Sequence, residues 1–452
     1  MNYERIFNNF IDKVVMEGAY ATREELIVAT KKMLDIIKNN KDATPEEFVE
    51  LVIDDNISML EDIRKNYPVP GYTTGIKVGN INVKLFGGNI DSFERKMPDN
   101  ALFDVASITK FYTQIIAYNL IKEGLFSFNT KIKDLDDRFI NVGDLTINDV
   151  LTFTTHFQTN GRINDRFNVK DALDCLYGVN VVEVGKYNYN DIGMMIIKEL
   201  MERVTGLSYK ALVSKYITDK LNLKETFLIV PEDKLHLVTG TPNAYKGGIN
   251  DSNAEALGGY SGHAGIITSN DDLIKLGEEV TNGNVIPNEL LKNAYTEGAK
   301  AARGVMGNTY TAHKEGTSMG YVSTLENKRS FALQGSTRTT LTIGPHSTST
   351  VLLNPASMSI EKALEAEAKI NEQRSLKGLA PLSLVKHFNF DRDGKIEKFS
   401  LIDVRQMVPS VRTLEPMCDQ NAVLILRLRF LNEVIREYDK NYSKEIIVKK
   451  SI

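Results

Sequence analysis

Cysteine is nearly missing from this chain. Cys175 and Cys418 are the only two in 452 residues, and they stand far apart with no histidine at ligand spacing. That leaves no basis for a disulfide framework or a zinc site, and both read as ordinary buried thiols. An excess of either charge is missing too: 55 Lys and Arg stand against 59 Asp and Glu, for a net charge of −4. With no basic stripe, nucleic acid and acidic surfaces are poor candidates for a main partner. No apolar run is long enough to span a membrane. The opening MNYERIFNNFIDKVV carries acidic residues early and no apolar stretch before a small-residue cleavage site, so the expectation is a cytoplasmic protein without a signal peptide.

What is present is the profile of a soluble globular protein, 42% hydrophobic and 25% charged. The length predicts two or three structural units. Residues 1–66 read as a helical extension: Glu24 to Ile37 carries one apolar side, and Thr44-Pro45-Glu46-Glu47 is a capped start for Phe48 to Ile63. Pro68-Val69-Pro70-Gly71 marks a boundary, and Gly79-Asn80 joins strand patterns at Thr73–Val78 and Ile81–Phe86 into a hairpin. Helical patterns follow at Ile147–Phe153, Val169–Leu176, Asp191–Val204, Tyr209–Leu221 and Asp271–Val280, the last capped by Ser269. Phe331–Ile343 and Thr348–Leu353 read as strands, and Ile360–Asn371 as a returning helix. Strands at both ends with helices between predict an α/β (α+β) unit over 67–372: a central antiparallel sheet flanked by helices, with a helical insertion at about 110–250. Residues 373–452 read as a C-terminal appendage ending in an amphipathic helix near Ala422–Tyr438.

The chemistry gathers around Ser107-Ile108-Thr109-Lys110, an S-x-x-K at the expected start of a helix that runs to Gly124. Ser107 is placed at the cap, with Lys110 three residues on and on the same face. A lysine in a dry pocket loses part of its preference for the charged form, so Lys110 is a candidate to accept the Ser107 proton. On its own the motif reads more readily as a capped helix with a solvent-facing lysine, since S-x-x-K often occurs by chance.

Downstream come Tyr189-Asn190-Asp191, then Gly262-His263-Ala264-Gly265, then Gln334-Gly335-Ser336-Thr337 on a strand pattern. With S-x-x-K, this ordered set resembles the serine β-lactamase and penicillin-binding protein superfamily, in its class C-like branch of esterases and D-amino-acid peptidases, over about Pro70 to Asn371. The resemblance implies a β-lactamase/transpeptidase-like fold and a small-molecule substrate, with no cofactor. It implies Ser107 as nucleophile, Lys110 as its partner, Tyr189 as proton shuttle, and Asp191 as holder of the lysine or of a substrate amide. The oxyanion hole would be the N–H groups of Ser107 and Ser336.

The third motif departs from the family. Where K-T-G or H-T-G is usual, Leu333-Gln334-Gly335 stands. The cation is lost, Gly335 keeps close backbone approach possible, Gln334 is a candidate for a substrate amide, and Arg338 replaces a usually small residue. Leu151-Thr152-Phe153-Thr154-Thr155-His156 also departs from the common L-T-H-T-S-G. The expected activity is a serine hydrolase acting through an acyl-enzyme on a small ester, amide or D-amino-acid-type peptide, and a poor β-lactamase. A retired binding protein of the same fold and an acyltransferase using the same serine remain open. His263 reads as a structural histidine. Asn389–Ser400 has the oxygen spacing of an EF-hand loop, but Ser400 stands where a closing Glu belongs; a hairpin at Asp393-Gly394 is expected instead, and no metal.

Overall fold

The structure is a computed structural model. It describes residues 2–19, 21–66, 70–90, 95–186, 188–241, 248–286 and 330–354, then 368, 371–372, 374–376, 378, 386–390, 396–401 and 414–452.

Three helices come first, α1 (Tyr3–Met16), α2 (Arg23–Asn39) and α3 (Pro45–Asn66). Their starts are written in the side chains. Thr22 and Glu25 form a reciprocal capping box, and Thr44 Oγ1 accepts the Glu47 N–H at 3.2 Å. Strands β1 (Gly71–Val78) and β2 (Ile81–Gly88) follow as the expected hairpin, with Val78 opposite Ile81 and Gly79 at a φ of +52°. After β3 (Leu102–Asp104) comes α4 (Thr109–Lys122).

The middle of the chain is helical, with α5 (Ile132–Leu135), α6 (Ile147–Leu151), α7 (Val169–Tyr177), α8 (Ile192–Thr205), α9 (Tyr209–Val213), α10 (Asp219–Leu221), α11 (Ser252–Ala256) and α12 (Asn270–Thr281). The expected Tyr209–Leu221 helix is interrupted by a wide turn at Ser214–Thr218, which separates α9 from α10. Ser269 caps α12 as read from sequence, accepting the Asp272 N–H at 3.2 Å. Short strands β4 (Thr155–Gln158) and β5 (Asn180–Val184) pair, as do β6 (Thr226–Phe227) and β7 (Ile267–Ser269), and β7 pairs with β3 as well.

The stretch expected as one strand, Phe331–Ile343, is two: β8 (Phe331–Gly335) and β9 (Thr339–Ile343) turn at Arg338, which sits at φ +64°. A strand cannot pass through a left-handed residue, so the chain reverses there. β10 (Ser347–Asn354) then runs beside β1. Strands β11 (Lys386–Phe390) and β12 (Ile396–Leu401) pair antiparallel, as a hairpin requires; residues 391–395 between them lie outside the described residues. So does the expected Ile360–Asn371 helix, but for two positions. The long α13 (Leu414–Tyr438) and β13 (Ile446–Ser451) close the chain.

The main sheet has the order β13-β2-β1-β10-β9-β8, antiparallel except for β13 on β2. Its two faces feed two cores. Leu333, Leu341, Ile343 and Leu352 point into one with α4, α8 and α12; Tyr72, Val83, Val351 and Leu353 point into the other with α1, α2, α3 and α13. The C-terminal segment is therefore built into the sheet and its outer layer rather than appended to it. Asn421 of α13 fastens that layer, its Nδ2 donating to Thr74 Oγ1 at 2.7 Å and to the Thr350 carbonyl at 3.0 Å.

Candidate active site

The turn after β3 is built to present Ser107. Val105 N donates to the Ile266 carbonyl at 3.0 Å, and Ala106 N donates to the carboxylate of Asp104 at 2.7 Å. Ala106 sits at φ +44°, a left-handed conformation that costs energy in a residue with a Cβ. Ala106–Ile108 form one 3-10 turn, and α4 begins only at Thr109. Ser107 is thus not the helix cap expected from its position. The cap falls to Ile108, which makes no side-chain capping bond, and the Ser107 hydroxyl turns to other partners.

Those partners are Lys110 and Tyr189. Lys110 is 1% exposed, and its Nζ lies 2.8 Å from Ser107 Oγ, 2.7 Å from Asp191 Oδ1 and 3.3 Å from the His263 carbonyl oxygen. An ammonium has three protons to donate, and here it has three acceptors. The Tyr189 hydroxyl donates to Ser107 Oγ at 3.0 Å. Its ring is wedged between Lys110 Nζ, 5.0 Å from the ring centre, and Phe153, at 5.4 Å between centroids. Phe153 is held at φ +53°, and its carbonyl accepts the Asn188 N–H at 2.7 Å. The departure seen at Leu151–His156 therefore supplies the aromatic wall that fixes the tyrosine.

Electrostatics runs against a neutral lysine. Burial pulls Lys110 down, but the Asp191 carboxylate, with Tyr189 next, outweighs it and holds the amine above its ordinary range. Lys110 is charged. Burial pushes the Tyr189 phenol up, opposed by the neighbouring Lys110. For Asp191 burial acts upward, yet Lys110 and then His263 bring the carboxyl below the usual range.

The third strand contributes unevenly. Leu333, 3% exposed, lies in the core shared with α4 and α8. Gly335 runs against the turn before Ser107: a Cβ there would overlap the Val105 carbonyl. Ser336 is exposed, with Asn250 Nδ2 3.4 Å from its Oγ, and Thr337 Oγ1 donates to the Asp104 carbonyl at 2.6 Å. Gln334, expected to meet a substrate amide, points the other way. It pairs with Thr340, whose hydroxyl lies 3.7 Å from Cys418 of α13, and strand alternation puts both on the outer face. Arg338 closes the turn through its backbone, and none of its hydrogen bonds reaches Ser107, Lys110 or Tyr189.

Asp104 is the residue that sequence reasoning missed. It is buried and accepts N–H groups on both sides of the site, from Ala106 and, at 2.8 Å, from Asn250. Its only signal in sequence is a charged residue inside the apolar approach Leu102-Phe103-Asp104-Val105. Burial pushes its carboxyl up to about 6, against the pull of those two N–H groups. The folded protein therefore holds a proton that the unfolded chain has lost between about pH 4 and about pH 6, and this group's contribution to stability falls as pH rises through that window. Asp104→Asn should flatten that part of the stability curve. Urea unfolding at several pH values from about 4 to about 7 checks this, and parallel curves for the two proteins would refute it.

Among the described residues, Asp191, Asp251 and His263 are the one grouping of metal-ligating types. Lys110 bonds Asp191 and His263 bonds Asp251, so protein groups already close the cluster. No described helix is long and apolar enough to cross a membrane.

The Ser107 turn thus lies beside the edge strand β8 and faces the helical layer that carries Tyr189. The β-lactamase family profile matches residues 61–362, well over half of the chain, and the protein belongs to that family. Solved structures agree in fold. A class C β-lactamase from Rhodobacter sphaeroides is 17% identical, with a TM-score of 0.51, covering 69% of this chain and 96% of its own. A β-lactamase from Sulfitobacter sp. EE-36 is 13% identical, with a TM-score of 0.52 and coverage of 69% and 94%. EstCE1, a hydrolase with promiscuous acyltransferase activity, is 14% identical, with a TM-score of 0.54 and coverage of 68% and 94%. No curated protein matches the chain.

Proposed function

We propose that this protein is a serine hydrolase that works through an acyl-enzyme on a small ester, amide or D-amino-acid-type peptide. The observation that carries the reading is the pair of hydrogen bonds converging on Ser107 Oγ, from Lys110 at 2.8 Å and Tyr189 at 3.0 Å. Ser107 Oγ attacks the carbonyl carbon and passes its proton to the Tyr189 oxygen, while Tyr189 gives its own proton to the leaving atom. No free tyrosinate has to accumulate, and Lys110, kept cationic by Asp191, stabilises the phenolic oxygen in transit. The N–H groups of Ser107 and Ser336 take the oxyanion. Water then attacks the acyl carbon, gives a proton to Tyr189, and Tyr189 returns one to Ser107. Intact-mass measurement after exposure to a fluorophosphonate and to activated esters tests this. An adduct on Ser107 is expected; its absence would favour a binding protein that kept the pocket.

Leu333 narrows the substrate. An apolar, buried side chain stands where the family offers a cation, so a substrate carboxylate loses a charge-assisted partner of about 1.5–3 kcal/mol. Benzylpenicillin should be turned over poorly or not at all. Leu333→Lys should raise the acylation rate by penicillin and leave that of a neutral nitrophenyl ester nearly unchanged. Equal changes for both substrates would show that this position does not face the carboxylate.

A further inference from the structure

The sheet has a second concave site, at the end away from Ser107. A cleft of about 350 Å³ opens where the β1–β2 hairpin and the β9–β10 turn meet the C-terminal ends of α1, α12 and α13. That volume is in the range of small-molecule sites. The Ser107 turn packs against Gly335, whose partner Thr339 sits opposite Leu352, whereas the cleft is lined by Val78 and Ser347 at the far ends of β1 and β10. The two sites are therefore most of a strand apart, roughly 15 Å at about 3.3 Å per residue. α1 and α13 lie outside residues 61–362, so two walls of the cleft come from segments that the family match does not cover.

The walls are charged, and most of the charges are already used. Lys13 pairs with Glu433 at 2.6 Å and Lys77 with Glu445 at 2.7 Å, while Arg429 at 2.6 Å and His346 at 3.0 Å both hold Glu17. Two lining charges are left. Arg436 of α13 and Glu278 of α12 have no side-chain hydrogen bond or ion pair among the described residues, and the cleft keeps them from each other. Each stands one helical turn from a second unpartnered side chain on the same face, Asn432 before Arg436 and Asn282 after Glu278. One wall thus offers a guanidinium with an amide N–H, the donor set for a carboxylate. The other offers a carboxylate with an amide oxygen, the acceptor set for an ammonium. We propose that this cleft binds a small zwitterion, an amino acid or short peptide with free amino and carboxyl ends, its carboxylate on Arg436 and Asn432 and its ammonium on Glu278 and Asn282. A plain anion would meet Glu278 and a plain cation Arg436, so the two walls together select a ligand that carries both charges. No residue of the cleft belongs to the Ser107 site, and the proposal stands apart from the hydrolase reading.

The probes are glycylglycine and triglycine, which carry both charges, and the N-acetyl and C-terminal amide forms of whichever binds tighter. They are titrated by calorimetry into the full-length protein carrying Ser107→Ala, so that no turnover consumes them, and into the same protein with Arg436→Gln or Glu278→Gln added. The free peptide should bind, and capping either of its ends should weaken binding roughly tenfold, the equilibrium weight of one charge-assisted pair. Arg436→Gln should weaken the free peptide by about the same factor and leave the amide form unchanged. Glu278→Gln should weaken the free peptide likewise and leave the N-acetyl form unchanged. Arg436 is exposed and Glu278 half-buried, and circular dichroism verifies folding. Should one variant not fold, the other variant and the capped peptides still decide. No binding of either free peptide would overturn the proposal, and so would an N-acetyl or amide form that binds as tightly as the free peptide. Affinities unchanged by both substitutions would place the peptide outside this cleft and overturn it too. None of these results bears on the hydrolase reading, which the adduct on Ser107 tests separately.

Discussion

Ser107→Ala is expected to leave no measurable turnover of an activated ester, and Lys110→Ala to lose about 10²- to 10⁴-fold, with both proteins folded. In the proposed mechanism the serine oxygen forms the acyl bond, and no other described hydroxyl receives both Lys110 and Tyr189. Removing the Lys110 amine costs more than one hydrogen bond. It leaves Asp191 half-buried without its partner, and it removes the charge that lowers the cost of a proton passing through Tyr189. Tyr189→Phe should fall in the same range, because the oxygen proposed as the shuttle is gone while the ring still packs on Phe153. Steady-state rates with a nitrophenyl ester, alongside circular dichroism to verify folding, decide the matter. Wild-type-like hydrolysis by Ser107→Ala would end the proposal that Ser107 is the nucleophile.

The largest expected loss of stability lies far from this site. Arg427 of α13 is buried, and its guanidinium donates to Asp55 Oδ2 at 2.7 Å, Asn56 Oδ1 at 3.0 Å and the Ala29 carbonyl at 3.1 Å. One side chain thereby joins α13 to both α2 and α3. Arg427→Ala strands three acceptors at a buried interface, where breaking a paired charge costs about 3–5 kcal/mol. Lys32 also pairs with Asp55 and softens the loss, so the lower end of that range is expected. Chemical denaturation measures it; a change below about 1 kcal/mol would show that the outer layer does not depend on this clamp.

The legible parts of this molecule were those written in local chemistry. Capping pairs such as Thr44 with Glu47, the Gly79-Asn80 hairpin and the ordered motifs that carry the family resemblance all act within a few residues or as fixed residue types. What escaped depends on distant partners. The Asp191 carboxylate that holds Lys110 above its ordinary range is its neighbour only in space, and no spacing rule reports that sum. The 3-10 turn at Ser107 follows from Asp104 gripping the Ala106 N–H, a contact that only a buried carboxylate makes worthwhile. Arg338 looked like a strand residue, yet the chain turns on its left-handed backbone. Gln334 went to the wrong face because strand alternation, once Leu333 is assigned inward, leaves no choice for its neighbour. β13 is short and pairs with β2, which precedes it by most of the chain, so its place in the sheet had no local signature.

That architecture bears on when the enzyme comes into being during synthesis. Thr74 and Thr350 meet across 276 residues, and the central pair β1–β10 joins one early strand to one late strand. Contacts this distant in sequence are slow to form, because a long loop must be closed before they repay its entropy. The edge carrying Ser336 needs β8, which leaves the ribosome after nearly three quarters of the chain, and the outer layer waits for α13. A nascent chain would therefore expose S-x-x-K for most of its synthesis without the strand that would complete the proposed oxyanion site, so under that proposal hydrolytic competence arrives late and all at once.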